Sequence, residues 1–572
     1  MKRSKWLILA LVFTMVLSLA LAGCGQTNDT EQPPTGKEEQ KETDEQAPND
    51  TGEEKLAKEQ VLKINLGTEP PDLDPQTTTD TVSFVLLNAT LEGLVRLNPD
   101  GSVGKGLAES WTISDDGKTY TFKLRDAKWS DGDPITAYDF EYAWKRAIDP
   151  KTASSYAYQF YGIKNAYAFN TGEITDPNEV GVKALDEKTL QVELERPMPY
   201  FLSLTSFITY LPAKKAAVEK WGDEYAADAD KMVFSGPFVI TKWDHEQKII
   251  LEKNPNYWDA DSVKLERIEC DMINDTNTPI NLYETGELDI TGVPAEFLDN
   301  HKDSPEFVRM ADATTFYLEF NCKDKFFSNK KIRKAFSLAI NRDAYVNGVL
   351  ANGSIPAYGF VPGGIPGKAG GEFRKQNGDL IYDVGTKGQA AIDEANKLLE
   401  EGLKEVGATK EELAKHVSYL TGDSDVARKL AQALQQMWKN NLGIEVPIES
   451  VSFKIRLQKM DQADYTIVGA GWGADYNDPM TFMDMWVTDG GNNDAFWSNA
   501  KYDELIEKAN NSTGDERMEY MLEAERLLME EMPIAPTYFA ARNFLQKPYV
   551  KGVARFPVGV STEYKWAYVL EH

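Results

Sequence analysis

The chain has 572 residues, a formal net charge of −29, three cysteines and four histidines. That acidity argues against nucleic acid as a partner and against electrostatic docking on anionic lipid. There is no Gly-x-Ser-x-Gly, no HExxH and no complete phosphate-binding loop, and His245, His301, His416 and His572 are scattered, so the common hydrolase and nucleotide-dependent classes have no support.

Lys2, Arg3 and Lys5 precede the apolar run Trp6 to Leu19, and Leu21-Ala22-Gly23-Cys24 follows; residues 1–23 thus have the parts of a secretion signal. The run is short for a membrane span. Leu-Ala-Gly-Cys resembles the lipobox of bacterial lipoproteins, which implies lipidation of Cys24 and a stable anchor once two or more acyl chains are attached. From Gly25 to Glu59 only Ala47, Leu56 and Ala57 are apolar, so residues 24–59 are expected to be an unfolded acidic tether. Its mean span is about 30 to 40 Å.

Val61 to Leu66 alternates as a strand that ends at the Pro70–Pro75 turn. Thr81 to Leu94 reads as a helix, followed by the strand Val95-Arg96-Leu97 and an Asn-Pro-Asp-Gly turn. Ala108 to Arg125 is a hairpin about Asp116-Gly117, with Tyr120, Phe122 and Leu124 on one face. After a turn at Trp129–Pro134, Thr136 caps a helix with Asp139 at its third position and Phe140, Ala143, Trp144 and Ala147 inward. Cys270 lies in an alternating run and Cys322 follows the strand-like Phe316–Phe320. They have no metal-ligand spacing; in an exported chain they could pair, or they could remain buried thiols.

Further on, Val417–Leu420 and Ile444–Glu449 read as strands about the helix Asp425–Asn441, with Leu430, Ala433, Leu434 and Met437 inward and Gly443 closing it. Right-handed crossovers of this kind build a mixed sheet with helices on both faces. Asp464–Val468 is a strand that Gly469, Gly471 and Gly473 are expected to break into a loop, Trp472 to Pro479. A flat aromatic and the Asp475 carboxylate among glycines suit an extended chain with a free ammonium end. The same Asp-Tyr-Asn-Asp-Pro is also turn chemistry, in which Asp475 caps its own backbone.

Glu109-Ser110-Trp111, Ser114–Gly117, Thr119–Phe122 and Trp129–Arg146 together resemble the signature of the extracellular solute-binding proteins of family 5, which include the oligopeptide- and dipeptide-binding lipoproteins of ABC importers. The resemblance continues through Ser235–Phe238, Asn254–Trp258, Tyr283–Asp289, Lys331–Ala335, Asn341–Asp343 and Pro356–Gly359, and covers nearly everything from Gln60 onward. It implies an α/β, two-lobed, periplasmic-binding-protein-like clamshell of type II, cluster C, with an extra inserted subdomain. Lobe 1 would be 60–313 plus 542–572, with the insert at about 92–211, and lobe 2 would be 314–541. Two hinge crossings would fall near Thr314 and Ala541.

For the site, the resemblance implies that Asp475 pairs with a peptide α-ammonium and Trp472 packs beside the ligand, with Gly471 and Gly473 admitting its backbone as an added strand. Phe453 would line a side-chain pocket, and Tyr156, Tyr317, Asn321 and Tyr538 would lie near the cleft. Basic residues that some relatives use for the peptide carboxylate are absent at Ala427, Gly469 and Leu350. That leaves Arg428, Lys454 or Arg456, or an unclamped end. The family's optional disulfide is also missing, with Thr314 and Gly473 at its positions.

The implied function is a monomeric binding protein, not an enzyme and without metal or cofactor. It would be lipid-anchored at Cys24 on the extracytoplasmic face of a bacterial membrane, delivering oligopeptides to an ABC permease with cytoplasmic ATPases. The alternatives are a family-5 receptor for a nickel complex, haem or oligosaccharide, or for a peptide pheromone.

Overall fold

The computed structural model describes residues 55–198 and 200–572, so the expected signal segment, Cys24 and the tether up to residue 54 lie outside the described residues. One 11-stranded mixed sheet runs through the described chain. Its strands are β1 (Val61–Asn65), β2 (Phe238–Asp244), β3 (Lys248–Lys253), β4 (Arg267–Asp271), β5 (Ile290–Gly292), β6 (Phe307–Phe320), β7 (Ile355–Pro356), β8 (Tyr419–Gly422), β9 (Ile448–Val451), β10 (Ile467–Gly473) and β11 (Ile534–Gln546). The spatial order is β9-β8-β10-β6-β11-β5-β1-β4-β3-β2, with β7 on β11.

The two long antiparallel strands β6 and β11 join the halves of this sheet. Phe307–Ala311 pairs with Ala541–Leu545, and Thr315–Glu319 pairs with Ile534–Phe539, with a register break between Ala311 and Thr315. β10 meets only the second part of β6, and β5 only the end of β11.

Between β1 and β2 a separate four-stranded antiparallel sheet is inserted, built from Ala108–Ile113, Thr119–Leu124, Thr189–Glu193 and Val182–Asp186. The expected hairpin and helix are both there. Tyr120, Phe122 and Leu124 are buried on one face, and Phe140, Ala143, Trp144 and Ala147 are the inward side of the helix Ala137–Ala147. The Thr136 N–H donates to Asp139 Oδ2 at 2.8 Å, the capping role expected for that carboxylate.

Tertiary contacts move several expected boundaries. The first helix spans Thr81–Thr90 and stops four residues early, because the Thr90 carbonyl accepts from the N–H groups of Ser235 and Gly236 (3.2 and 2.8 Å) and Leu91 becomes extended. β8 and β9 start later than expected, leaving Val417 and Ile444 as buried residues outside the strands. They pair in parallel about the helix Asp425–Leu442. That helix buries Leu430, Ala431, Leu434, Trp438 and Leu442, with Ala433 and Met437 only half-buried; the Trp438 indole, donating to the Phe336 carbonyl at 3.0 Å, turns the face.

Cys270 on β4 is buried, Cys322 is half-buried, and both are free thiols. The end of the expected tether is not loose. The Ala57 N–H donates to the Val569 carbonyl (2.9 Å), and the Gln60 amide clamps the Val569 main chain from both sides (2.8 and 3.0 Å). Among the described residues no helix is long and apolar enough to cross a membrane.

Candidate functional site

Gly469, Gly471 and Gly473 alternate along β10 and therefore share one face. They do not break the strand: β10 runs through Gly473, paired with β6 from Ile467↔Phe320 to Gly473↔Thr314, and none of the three has a positive φ. They permit close approach instead. A Cβ would lie 2.5 Å from Tyr419 Oη at Gly469, 2.9 Å from the Phe316 ring at Gly471, and 2.9 Å from Thr314 Oγ1 at Gly473.

On the other edge, β8 pairs with β10 only at Tyr419↔Ile467 and Leu420↔Val468. Among the described residues no strand pairs with that edge from Gly469 to Gly473, which is an open template for an extended chain. Phe316, 37% exposed, flanks it and stacks on Tyr538 at 4.7 Å.

Just past this edge the chain turns inward and buries Asp475. The Tyr156 hydroxyl donates to Oδ1 at 3.3 Å and Gln159 Nε2 to Oδ2 at 3.1 Å, both from the connection between strands of the inserted four-stranded sheet. The turn-cap reading of Asp475 is therefore incorrect. Asp478 does that work, accepting from the Met480 N–H at 2.9 Å while Arg517 grips its carboxylate through two 2.8 Å bonds. Trp472 is buried 6.0 Å from the Tyr156 ring, and its indole donates to the Thr481 carbonyl at 2.7 Å. The Thr481 hydroxyl oxygen accepts from the Asp475 N–H at 3.0 Å.

Burial, reinforced by nearby Asp484, pushes the Asp475 carboxyl well above the usual carboxylate range. Asp484 itself is pushed up to about 8, mainly by burial; Tyr476 donates to its Oδ2 at 3.1 Å, and among the described residues Oδ1 has no partner. Asp484 lines a cavity of about 750 Å³ together with Tyr158, Gln159, Arg196, Tyr200 and Tyr476. Arg196 there donates to Asn510 at 2.7 Å, and among the described residues neither Asp475 nor Asp484 has an ion pair. Two buried carboxylates without a cation are what a ligand ammonium would complete.

Farther along the open edge, Phe453, Tyr317 and Tyr538 come together with Tyr419, Arg456 and Gly469 around a second cavity of about 350 Å³. Asn321 does not join them. Its amide donates to the carbonyls of Ala463 (3.1 Å) and Tyr465 (3.0 Å) and accepts from the Lys323 N–H (3.0 Å), so it clamps a loop. Arg428 is exposed and paired with Asp425 at 2.6 Å, and Lys454 is exposed; of the three candidate cations Arg456 faces the cavity. Gln159, Thr481, Asp484 and Phe316 escaped the sequence reading. For Phe316 the signal was available, since strand alternation puts it on the opposite face from Tyr317.

Residues 102–494 match the family described as bacterial extracellular solute-binding proteins, family 5 Middle. The oligopeptide-binding protein OppA of Bacillus subtilis is 38% identical over 559 residues, 96% of this chain and 97% of that protein. The structure of Listeria monocytogenes OppA bound to peptide superposes with a TM-score of 0.84 at 38% identity, covering 90% of this chain and 100% of that one. The Escherichia coli murein tripeptide binding protein MppA gives 0.82 at 29% identity (90% and 100% covered), whereas MppA in its unliganded open form gives 0.58 at 28% (91% and 99%). The fit is thus poorer to the unliganded open form. Sequence match and superposition agree, and the chain belongs to the bacterial extracellular solute-binding proteins of family 5.

Proposed function

We propose that this protein is the substrate-binding component of a peptide ABC importer, holding an extended oligopeptide between two lobes. One observation carries the reading: a strand edge left open among the described residues ends at a buried carboxylate that has no ion pair among them. The ligand backbone adds to the edge at Gly469–Gly473, and its α-ammonium joins Asp475 beneath Trp472 and Tyr156. Phe453, Tyr317 and Tyr538 receive side chains. Specificity then comes from backbone and terminus, with little read from ligand sequence. The names of the relatives, oligopeptide- and dipeptide-binding proteins, support the same reading.

The lobes proposed are 60–313 plus 542–572 and 314–541, hinged where β6 and β11 cross; the register break between Ala311 and Thr315 supports that placement. Lipidation of Cys24 would hold the protein, as a monomer, on the extracytoplasmic face, where it is offered to a permease driven by cytoplasmic ATPases. No catalytic role is proposed.

Calorimetry on the full chain in detergent, with peptides of three to eight residues in free and N-acetylated form, tests the reading. Free peptides should bind, and acetylation or Asp475→Ala should remove most of the affinity. Equal binding of both forms would reduce Asp475 to a structural acid. Failure of every peptide to bind would sink the peptide reading.

A further inference from the structure

We infer that Arg456 is a carboxylate receptor, taking an anionic group of the bound peptide at the end of the open edge opposite Asp475. The inference rests on the peptide reading and deepens it.

Arg456 projects from the helix Phe453–Asp461 into the cavity that Gly469, Tyr317, Tyr419, Tyr538 and Phe453 line. Its Nη1 donates to the Gly469 carbonyl at 3.1 Å, at the point where β8 leaves β10 and the edge opens. Among the described residues its buried Nε has no partner and it forms no ion pair. Arg125, Arg267 and Arg374 also have an unpartnered Nε, but Arg125 lies 3.5 Å over the Trp258 ring, and Arg267 and Arg374 pair with Glu269 and Glu525. Arg96, Arg342, Arg374 and Arg517 each sit on a carboxylate, and Arg333 is held by four main-chain carbonyls.

A guanidinium carries five donors in a fixed fork suited to a carboxylate, and leaving them short in a cavity is costly unless a ligand supplies the acceptor. The acid in the cavity wall, Asp423, accepts from Asn274 Nδ2 on the same wall at 3.0 Å; its charge acts on Arg456, but among the described residues the two form no ion pair. Burial keeps the phenols of Tyr317, Tyr419 and Tyr538 protonated, so they remain able to donate to an anion.

The geometry also sets a length. Gly469 to Gly473 spans about 13 Å of strand, or about four residues of extended ligand. An ammonium beyond one end and a carboxylate beyond the other correspond to a peptide of about four to six residues. The carboxylate has two possible sources, the C-terminus of a peptide of that length or an Asp or Glu side chain of a longer one.

Calorimetry on the full chain in detergent separates them. The probes are free-N-terminal peptides of four to eight residues, each as the C-terminal acid and the C-terminal amide, and each with one glutamate or the matching glutamine. Arg456→Gln should weaken acids about ten- to hundred-fold and spare the amides, with the largest effect at four to six residues. Arg456→Lys should recover part of the loss. A loss that follows glutamate against glutamine identifies the side-chain source and keeps the receptor. If Arg456→Gln unfolds, acid against amide on the unmodified protein decides. Equal loss for all probes would make Arg456 a packing residue, and equal affinities throughout would overturn the inference. If no probe binds even the unmodified protein, the peptide reading falls and this inference with it.

Discussion

Two buried charge clusters show opposite economies of hydrogen bonding. Around Arg96 nearly every donor is used: Nε meets both Glu92 oxygens (3.1 and 3.2 Å), Nη1 meets Glu563, and Nη2 donates to the carbonyls of Asn88 (3.0 Å) and Leu91 (2.9 Å). Tyr257 closes the cluster on Glu92. Around Asp475 and Asp484 the balance fails. The two carboxylates have separate, neutral donors, and among the described residues Asp484 Oδ1 and Gln159 Oε1 have no partner. A saturated buried network is structural, while one left short of charge holds a place for a ligand.

Removing a partner from each kind should separate them. Arg96→Ala leaves Glu92 and Glu563 buried and unpaired, so we expect a loss of about 3–5 kcal/mol of stability, read as a lowered unfolding midpoint, with ligand affinity of the folded fraction unchanged. Asp475→Ala should do the reverse, costing about 2–5 kcal/mol of peptide affinity with no loss of stability. If both lower stability alike, the contrast is empty.

A finer probe is pH. Asp484 faces Asp475, Asp478, Arg517, Tyr158 and Tyr476, and its folded-state value of about 8 stands above the unfolded 3.8. The folded ligand-free protein therefore keeps a proton that the unfolded chain releases, so this group's contribution is complete below about pH 4 and is lost as pH rises toward 8. Asp484→Asn should raise stability at pH 8 by about 1 kcal/mol or more over the parent and flatten the fall between pH 5 and 8. Entry of an ammonium should release protons, visible as a buffer-dependent binding heat. The smallest effect belongs to the exposed pair Lys164–Glu193: Lys164→Ala should leave the unfolding midpoint within the scatter of repeat measurements.

The sequence was readable where signals are local. The Asp116-Gly117 hairpin, the Thr136–Asp139 cap and the Gly443 helix end each rest on a few adjacent residues, and the structure has all three. It misled where the reason is remote. Glycines at 469, 471 and 473 looked like a loop because what they accommodate, Tyr419, Phe316 and Thr314, comes from other strands. Asp475 and Trp472 stood out as a motif, but nothing adjacent announces that Gln159 will reach Asp475 or that Arg456 will lack a counter-ion. A missing partner is a property of three-dimensional packing.

The Gln60–Val569 clamp and the Leu56–Leu570 bridge place the beginning of the folded body beside its end. A pull on residue 55 is thus met first by hydrogen bonds to the C-terminal residues Val569 to Glu571, and sequence added after His572 would emerge at the same pole as residue 55. A bulky C-terminal fusion would crowd the root of any anchor while leaving the ligand groove untouched, whereas trimming the chain back past Val569 would take away the latch that bears the load.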